Sequence, residues 1–303
     1  MTKIELGVNN CFAVKRWPQP FEWAEFVATS LDVKNVQFSF DLLDPRSTEP
    51  ALTEISLETV DACKRHGITI DTTFTGLMIY SLNLLTHPYL SMRIDALDWY
   101  TRAIRLTSML RARGTGGHVA AFSVRDHGDI KKRKELESFL SSSVEHLTLI
   151  AAQAGQKLFL IEPMPVAREI MPCTISETQH LLKSFNDVAH LPVKLNIDVG
   201  HSCGSETESS CDTNPYSWVE QLGQESPVIH IQQTDGSHDC HWPFTEKYNK
   251  IGLIKPDKLI QAIDKSGAEE VILVLEAIHP FETRDSQVLE DIKASIKYWK
   301  QYI

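Results

Sequence analysis

Long apolar runs are missing from this chain. No stretch of its 303 residues approaches the roughly 18 consecutive apolar residues that a membrane-spanning helix needs. The opening MTKIELGVNN has no basic-then-apolar export pattern, so a cytoplasmic location is the expectation. Basic charge is scarce: 30 Lys and Arg stand against 40 Asp and Glu, a formal charge of −10. A surface of that sign does not attract a phosphate backbone, and nucleic acid is not an expected partner. The six cysteines (Cys11, Cys63, Cys173, Cys203, Cys211, Cys240) include no CxxC pair and read as free thiols of a reducing compartment. Zinc held by Cys203, Cys211 and Cys240 near His241 would lack the usual ligand spacing. No proline-rich or low-complexity linker divides the sequence, which is read as one domain over residues 1–303. A homo-oligomer is compatible with this reading.

What is present is alternation. Short runs of strand character occur at 4–8, 33–40, 67–74, 116–124, 157–162, 193–198, 227–232 and 271–276. Amphipathic, helix-like segments separate them, near 21–30, 53–65, 91–112, 134–154, 175–185, 215–223, 256–265 and 286–300. In the second of these Leu57, Val60 and Ala62 mark the expected apolar face; in the third, Ile94, Leu97, Ile104 and Met109. Eight strand-helix units in strict alternation predict a closed parallel (β/α)8 TIM barrel. A doubly wound open sheet would carry a glycine-rich fingerprint after its first strand, and NNCFAVKRW follows instead. The GTGG run at 114–117 lacks the lysine-serine/threonine end of a phosphate loop and is read as the turn before strand four.

Four consecutive strands then each deliver an acid or an imidazole near their C-terminal end: Glu162 in KLFLIEPMP, Asp198 in KLNIDVGH, His230 in PVIHIQQ and Glu276 in VILVLEAIHP. Each lies roughly one strand-helix unit from the next, so they converge if the strands are barrel neighbours. Parity agrees, since Leu158, Leu160 and Glu162 alternate to one face, as do Val228 and His230, Asn196 and Asp198, and Val274 and Glu276. Three carboxylates crowded together repel, and a divalent cation relieves the repulsion. Two Glu, one Asp and one His suit Mn2+, Mg2+ or Co2+, with Zn2+ also compatible. Gln232 shares the parity of His230 and is expected to orient a hydroxyl or to serve as a ligand. Two long loops follow strands six and seven, at the rim where such barrels keep their chemistry.

The motifs IEP (161–163), DVGH (198–201), IHIQ (229–232) and VLEAIHPFE (274–282) resemble the sugar-phosphate isomerase/epimerase superfamily of xylose-isomerase-like TIM barrels, which includes the ketose 3-epimerases. VNNCFAVKRWP, VQFSFDLLDP, GGHVAAFSV and HIQQTDG resemble its tetrulose-phosphate branch. The resemblance implies that Glu162 and Glu276 bind the metal and also handle the proton, that Asp198 and His230 complete the ligand set, and that His201 lies near the substrate. It implies a small sugar or sugar phosphate as substrate. Where the sugar 3-epimerases continue with an asparagine-arginine-phenylalanine-glutamate run, this chain reads PMPVAREI, so Arg168 stands in place of a sugar-binding glutamate and suggests an anionic substrate group. Lys15 and Arg16 are further phosphate candidates, His118 a candidate for the barrel mouth, and His238 and His241 candidates for reaching substrate or a second metal from the strand-seven loop.

Chemistry makes the same demand. A proton α to a carbonyl leaves only when the enediolate is stabilised, and two carboxylates on opposite faces can remove and return it. Action at C3 inverts configuration; a shuttle between C1 and C2 gives an aldose-ketose isomerase. An apurinic-endonuclease-type hydrolase and a non-catalytic sugar sensor are the remaining rivals.

Overall fold

The computed structural model describes residues 2–164, 174–204 and 209–303. Eight parallel strands form a closed barrel in sequence order: β1 (Lys3–Asn9), β2 (Asn35–Ser39), β3 (Thr69–Phe74), β4 (Gly114–Gly117), β5 (Leu158–Ile161), β6 (Val193–Asp198), β7 (Val228–Ile231) and β8 (Glu270–Leu275). The seam closes where β1 pairs with β8 over six register positions, Lys3 opposite Glu270 to Val8 opposite Leu275.

Helices follow every strand: α1 (Pro20–Glu25), continued by a π-helical stretch (Phe26–Leu31), α2 (Ala51–His66), the short α3 (Gly76–Tyr80), α4 (Leu90–Met109), the short α5 (Val124–Gly128), α6 (Ile130–Gln153), α7 (Ile175–Asn186), α8 (Pro215–Leu222), the short α9 (Glu246–Ile251), α10 (Pro256–Ser266) and α11 (Asp285–Trp299). Local chemistry starts several of them. Pro occupies the first turn of α1, α8 and α10, where its missing N–H removes nothing. Asp129 caps α6 by accepting from Lys131 and Lys132 N–H, and Thr174 caps α7 from Glu177 N–H.

The strands are apolar on both faces because both are covered. Their outward residues, among them Val36, Phe38, Phe159, Ile161, Leu195, Ile197, Ile229, Ile231, Leu273 and Leu275, join the helices in the large core. Inside the barrel a separate plug of Leu158, Leu160, Val228, Ile272 and Val274 fills the floor. Each such side chain contributes about 1.5–3 kcal/mol by leaving water.

Two expectations are corrected. Strand four is Gly114–Gly117, overlapping the expected 116–124 only at Gly116 and Gly117; Gly114 and Gly116 abut β5, and a Cβ on Gly116 would stand 2.2 Å from the Leu160 Cβ. Ala62 of α2 and Leu97, Ile104 and Met109 of α4 pack on the core as expected, but Leu57 and Ile94 do not. Leu57 is 64% and Ile94 52% exposed, while Leu52, Thr59, Ala62 and Cys63, and Ala96, Trp99, Tyr100 and Ala103, face inward. Small and aromatic residues fill much of these interfaces beside Leu52, Ile104 and Leu106.

Candidate active site

Above the apolar plug lies a polar layer, and above that the ligand layer. Gln37 of β2 crosses the barrel interior. Its Oε1 accepts from His230 Nε2 and, at 3.1 Å, from Asn9 Nδ2; its Nε2 donates to Thr72 Oγ1 at 3.2 Å and to Asn196 Oδ1 at 3.1 Å. Asn9 passes the chain on to Glu276 Oε1 at 2.8 Å, and Asn196 donates to Glu162 Oε1 at 3.4 Å. One amide therefore ties down three of the four expected ligands. Asn9 and Gln37 carried no signal in sequence periodicity beyond being polar on an inward face.

The four residues converge as expected. Glu162 follows β5, continuing its ladder through Glu162 N–H to Gly117 O; Asp198 ends β6; His230 lies within β7; Glu276 follows β8, its N–H on Ile231 O. Because His230 gives its Nε2–H to Gln37, its Nδ1 faces the carboxylates, 2.9 Å from Glu276 Oε2, 3.2 Å from Glu162 Oε1 and 3.7 Å from Asp198 Oδ2. The four offer ligand atoms all within 4.8 Å of one another, all buried. His230 Nδ1 and Asp198 Oδ2 make no hydrogen bond among the described residues. Buried, unpaired donor atoms turned to one point fit a divalent cation, and an N1O3 set with open positions suits the cations expected from the sequence.

Burial and neighbouring charge set the protonation of these groups. Burial pushes the Glu162 carboxyl up, partly opposed by His201 and His230. Burial also penalises charge on Asp198, but His201, His230 and His241 outweigh it and hold the carboxyl below its usual range. Burial works against protonation of His230, yet Glu276, Asp198 and Glu162 draw its pKa well above that of a free imidazole. Positive charge at Nδ1 is what the three carboxylates select.

A second group overhangs the first. The loop after β7 turns back through paired backbone bonds between Gln233 and Trp242, at 2.8 and 3.0 Å, and this carries Asp239 and His241 over the ligands. His241 Nε2 lies 3.0 Å and His201 Nε2 3.4 Å from Asp239 Oδ2. His201 Nδ1 meets Pro163 O at 2.9 Å. Gln232 is neither ligand nor free: its Nε2 donates to Asp198 Oδ1 at 3.0 Å and Asp239 Oδ1 at 2.6 Å, and its Oε1 accepts from His241 N–H. Gly200 gives it room, since a Cβ there would be 2.4 Å from the Gln232 Cδ. His241 thus reaches the site, and Asp239 is the residue that sequence reasoning missed; its signal was the D-x-H spacing of DCH at 239–241.

The remaining candidates fall elsewhere. His118 sits just past β4, buried, with Nε2 2.8 Å from Leu82 O. Lys15 is exposed and lies over the Phe281 ring, 4.5 Å from its centre, on the rim. Arg16 is committed to Asp285 and to the carbonyls of Thr283 and Pro280, which corrects its reading as a phosphate ligand. His238 is exposed and groups with Asp235 and Cys240 on the loop. Arg168 lies outside the described residues. A cavity of about 90 Å3 opens onto the site, walled by Phe74, Leu77, Tyr80, Ile278 and Cys11, with Glu162, Glu276, His201, Asp239 and His241 as polar lining.

A family model described as the xylose isomerase-like TIM barrel matches residues 27–302. The chain belongs to that family. Within the xylose isomerase-like barrels, a Rhodospirillum rubrum protein crystallised under the provisional name xylose isomerase is 30% identical, with a TM-score of 0.92 over 99% of both chains. The D-erythrulose 1-phosphate 3-epimerase of Brucella abortus (strain 2308) is 27% identical over 99% of this chain and 96% of its own. The D-psicose 3-epimerase of Clostridium cellulolyticum H10, solved with D-tagatose, shares the fold at a TM-score of 0.70 and 17% identity, over 98% of this chain and 99% of that one.

Proposed function

We propose that this isomerase-class enzyme is a divalent-metal-dependent 3-epimerase of a short ketose phosphate, of the erythrulose phosphate kind. The observation that carries the reading is the placement of two glutamates, following β5 and β8, against one imidazole nitrogen: Glu162 Oε1 at 3.2 Å and Glu276 Oε2 at 2.9 Å from His230 Nδ1. The likeness to the erythrulose 1-phosphate epimerase supports it, as does a cavity small enough to favour a short carbon chain.

A cation held by Glu162, Asp198, His230 and Glu276 would supply electrostatic stabilisation to an enediolate. The chain's own groups do the rest. One glutamate takes the C3 proton, and the other returns a proton to the opposite face of C3. Asn9 donates to Glu276 Oε1 while Oε2 faces His230, and Asn196 donates to Glu162 Oε1, so each carboxylate is aimed before substrate arrives. Phe74, Leu77 and Ile278 form an apolar wall beside the carboxylates, where charge interactions with substrate are less screened than in bulk water.

The test is turnover of tetrulose phosphates in D2O, followed by NMR. Deuterium at C3 with configuration lost is expected; deuterium at C1 alone would make the enzyme an aldose-ketose isomerase and overturn the proposal. Glu162→Gln and Glu276→Gln should each lower kcat by about 10²–10⁴-fold with an unchanged circular dichroism spectrum.

A further inference from the structure

Cys240 is not solitary. On the loop after β7 it meets a carboxylate and an imidazole of its own segment, in the short pattern D-x-x-H-x-C at 235–240. Its Sγ lies 3.5 Å from His238 Nε2 and 3.9 Å from Asp235 Oδ1. The three residues each offer one ligand atom, all within 4.8 Å of one another. A tetrahedral Zn2+, with bonds of about 2.3 Å to sulfur and 2.0–2.2 Å to nitrogen and oxygen, holds sulfur roughly 3.5–3.6 Å from the other ligands. Both observed sulfur separations fall within a few tenths of an ångström of that.

Ser237 orients the imidazole. Its hydroxyl donates to Asp235 Oδ1 at 2.6 Å, so toward His238 Nδ1, 2.8 Å away, the same oxygen accepts. Nδ1 then carries the ring proton, and Nε2 presents its lone pair to the thiol. Metal-binding histidines are oriented in this way, by a partner on the other ring nitrogen. Thr234, buried beneath the loop, accepts from Gly236 N–H at 3.0 Å and donates to His238 O at 2.9 Å. The backbone that carries the trio is therefore set before any ion arrives.

We infer that Asp235, His238 and Cys240 form a zinc-type cation site, separate from the ligand layer around His230 and independent of the epimerase reading. One thiolate, one imidazole and one carboxylate suit Zn2+ or Co2+ better than Mg2+ or Mn2+. The thiol gives its proton to solvent on binding. Cys240 also lines an open cleft of about 880 Å3 beside Trp242, Pro243 and His279, which gives an ion its path in. Among the described residues, none of the three lines the cavity over the first site. An ion there would cross-link the loop beyond the paired backbone of Gln233 and Trp242, and so fasten Asp239 and His241, the neighbours of Cys240, over the ligand layer.

Co2+ alone is the probe, titrated into the full chain after chelator treatment and reduction. A thiolate-to-cobalt charge-transfer band in the near ultraviolet is expected. Glu162, Asp198, His230 and Glu276 contain no sulfur, so Co2+ bound among them adds no such band, whatever reaction the enzyme catalyses. Cys240→Ser and His238→Ala should each abolish the band at the Co2+ concentration that saturates the unaltered protein, with an unchanged circular dichroism spectrum. No band in the unaltered protein at saturation overturns the site, leaves the epimerase reading intact, and needs no variant to fold. A band that survives His238→Ala at an unchanged midpoint would also overturn it. So would a band that survives Cys240→Ser and disappears in Cys11→Ser or Cys203→Ser, which would move the sulfur ligand to another part of the rim.

Discussion

Gln37 touches neither cavity nor substrate side, but its two amide atoms engage four side chains from four different strands. It is a positioning residue. Gln37→Met keeps roughly the volume and removes the acceptor that directs His230 Nε2–H, so His230 can turn its lone pair away from the carboxylates. Outer partners of this sort are worth about 10- to 100-fold in metal affinity, and calorimetric titration with Mn2+ should show a loss in that range. His118 makes a different statement. Burial lowers its pKa from 6.5 to about 4, so the folded protein keeps the ring neutral where the unfolded chain takes up a proton. Its contribution is complete above pH 6.5 and is lost as pH falls toward 4. At about 1.4 kcal/mol per pKa unit, the stability difference between the unaltered protein and His118→Gln should narrow by roughly 2–3 kcal/mol between pH 6.5 and 4.5 in guanidinium titrations.

At the scale of elements, β4 shows how a barrel accommodates a tight seam. Gly116→Ala places a methyl group 2.2 Å from the Leu160 Cβ and 2.7 Å from Leu160 O, and a backbone contact cannot yield as a side-chain tip can. Destabilisation of about 1–3 kcal/mol is expected, read as a lower denaturant midpoint with little change in slope. The same seam explains what could be read beforehand. Seven strands announce themselves by β-branched and aliphatic runs, and Glu162, Asp198, His230 and Glu276 by falling at successive strand ends. GTGG carries no such run, because its inward positions must be empty for β5 to approach. Asn9, Gln37 and Asn196 meet across the barrel axis, and such contacts between distant strands leave no local period. Asp239 had only the D-x-H spacing of DCH to mark it, and its position over the site depends on the path of a loop that the Gln233–Trp242 pairing sets. In α2 and α4, burial also takes in Ala, Thr and aromatic residues, so a pattern built on aliphatic residues includes Leu57 and Ile94, which are exposed.

For the whole molecule, the ligand layer is a concentration of negative charge inside a protein already at −10. A dication bound only by the folded state stabilises it by about 2.7 kcal/mol at a hundredfold excess over its Kd. Chelation should therefore lower Tm by several degrees, at roughly 2–4 °C per kcal/mol, and scanning calorimetry should show recovery on adding Mn2+ but not K+. No helix among the described residues is long and apolar enough to cross a membrane.

His241 has a left-handed backbone, φ 47°, a conformation that costs a non-glycine residue about 1–2 kcal/mol, and Gln232 secures it by accepting its N–H. Glycine would relieve the strain and delete the imidazole. Mutation toward a more robust fold and mutation toward a working centre therefore pull this position in opposite directions. A screen that selects only for heat tolerance would drift toward a protein without that imidazole.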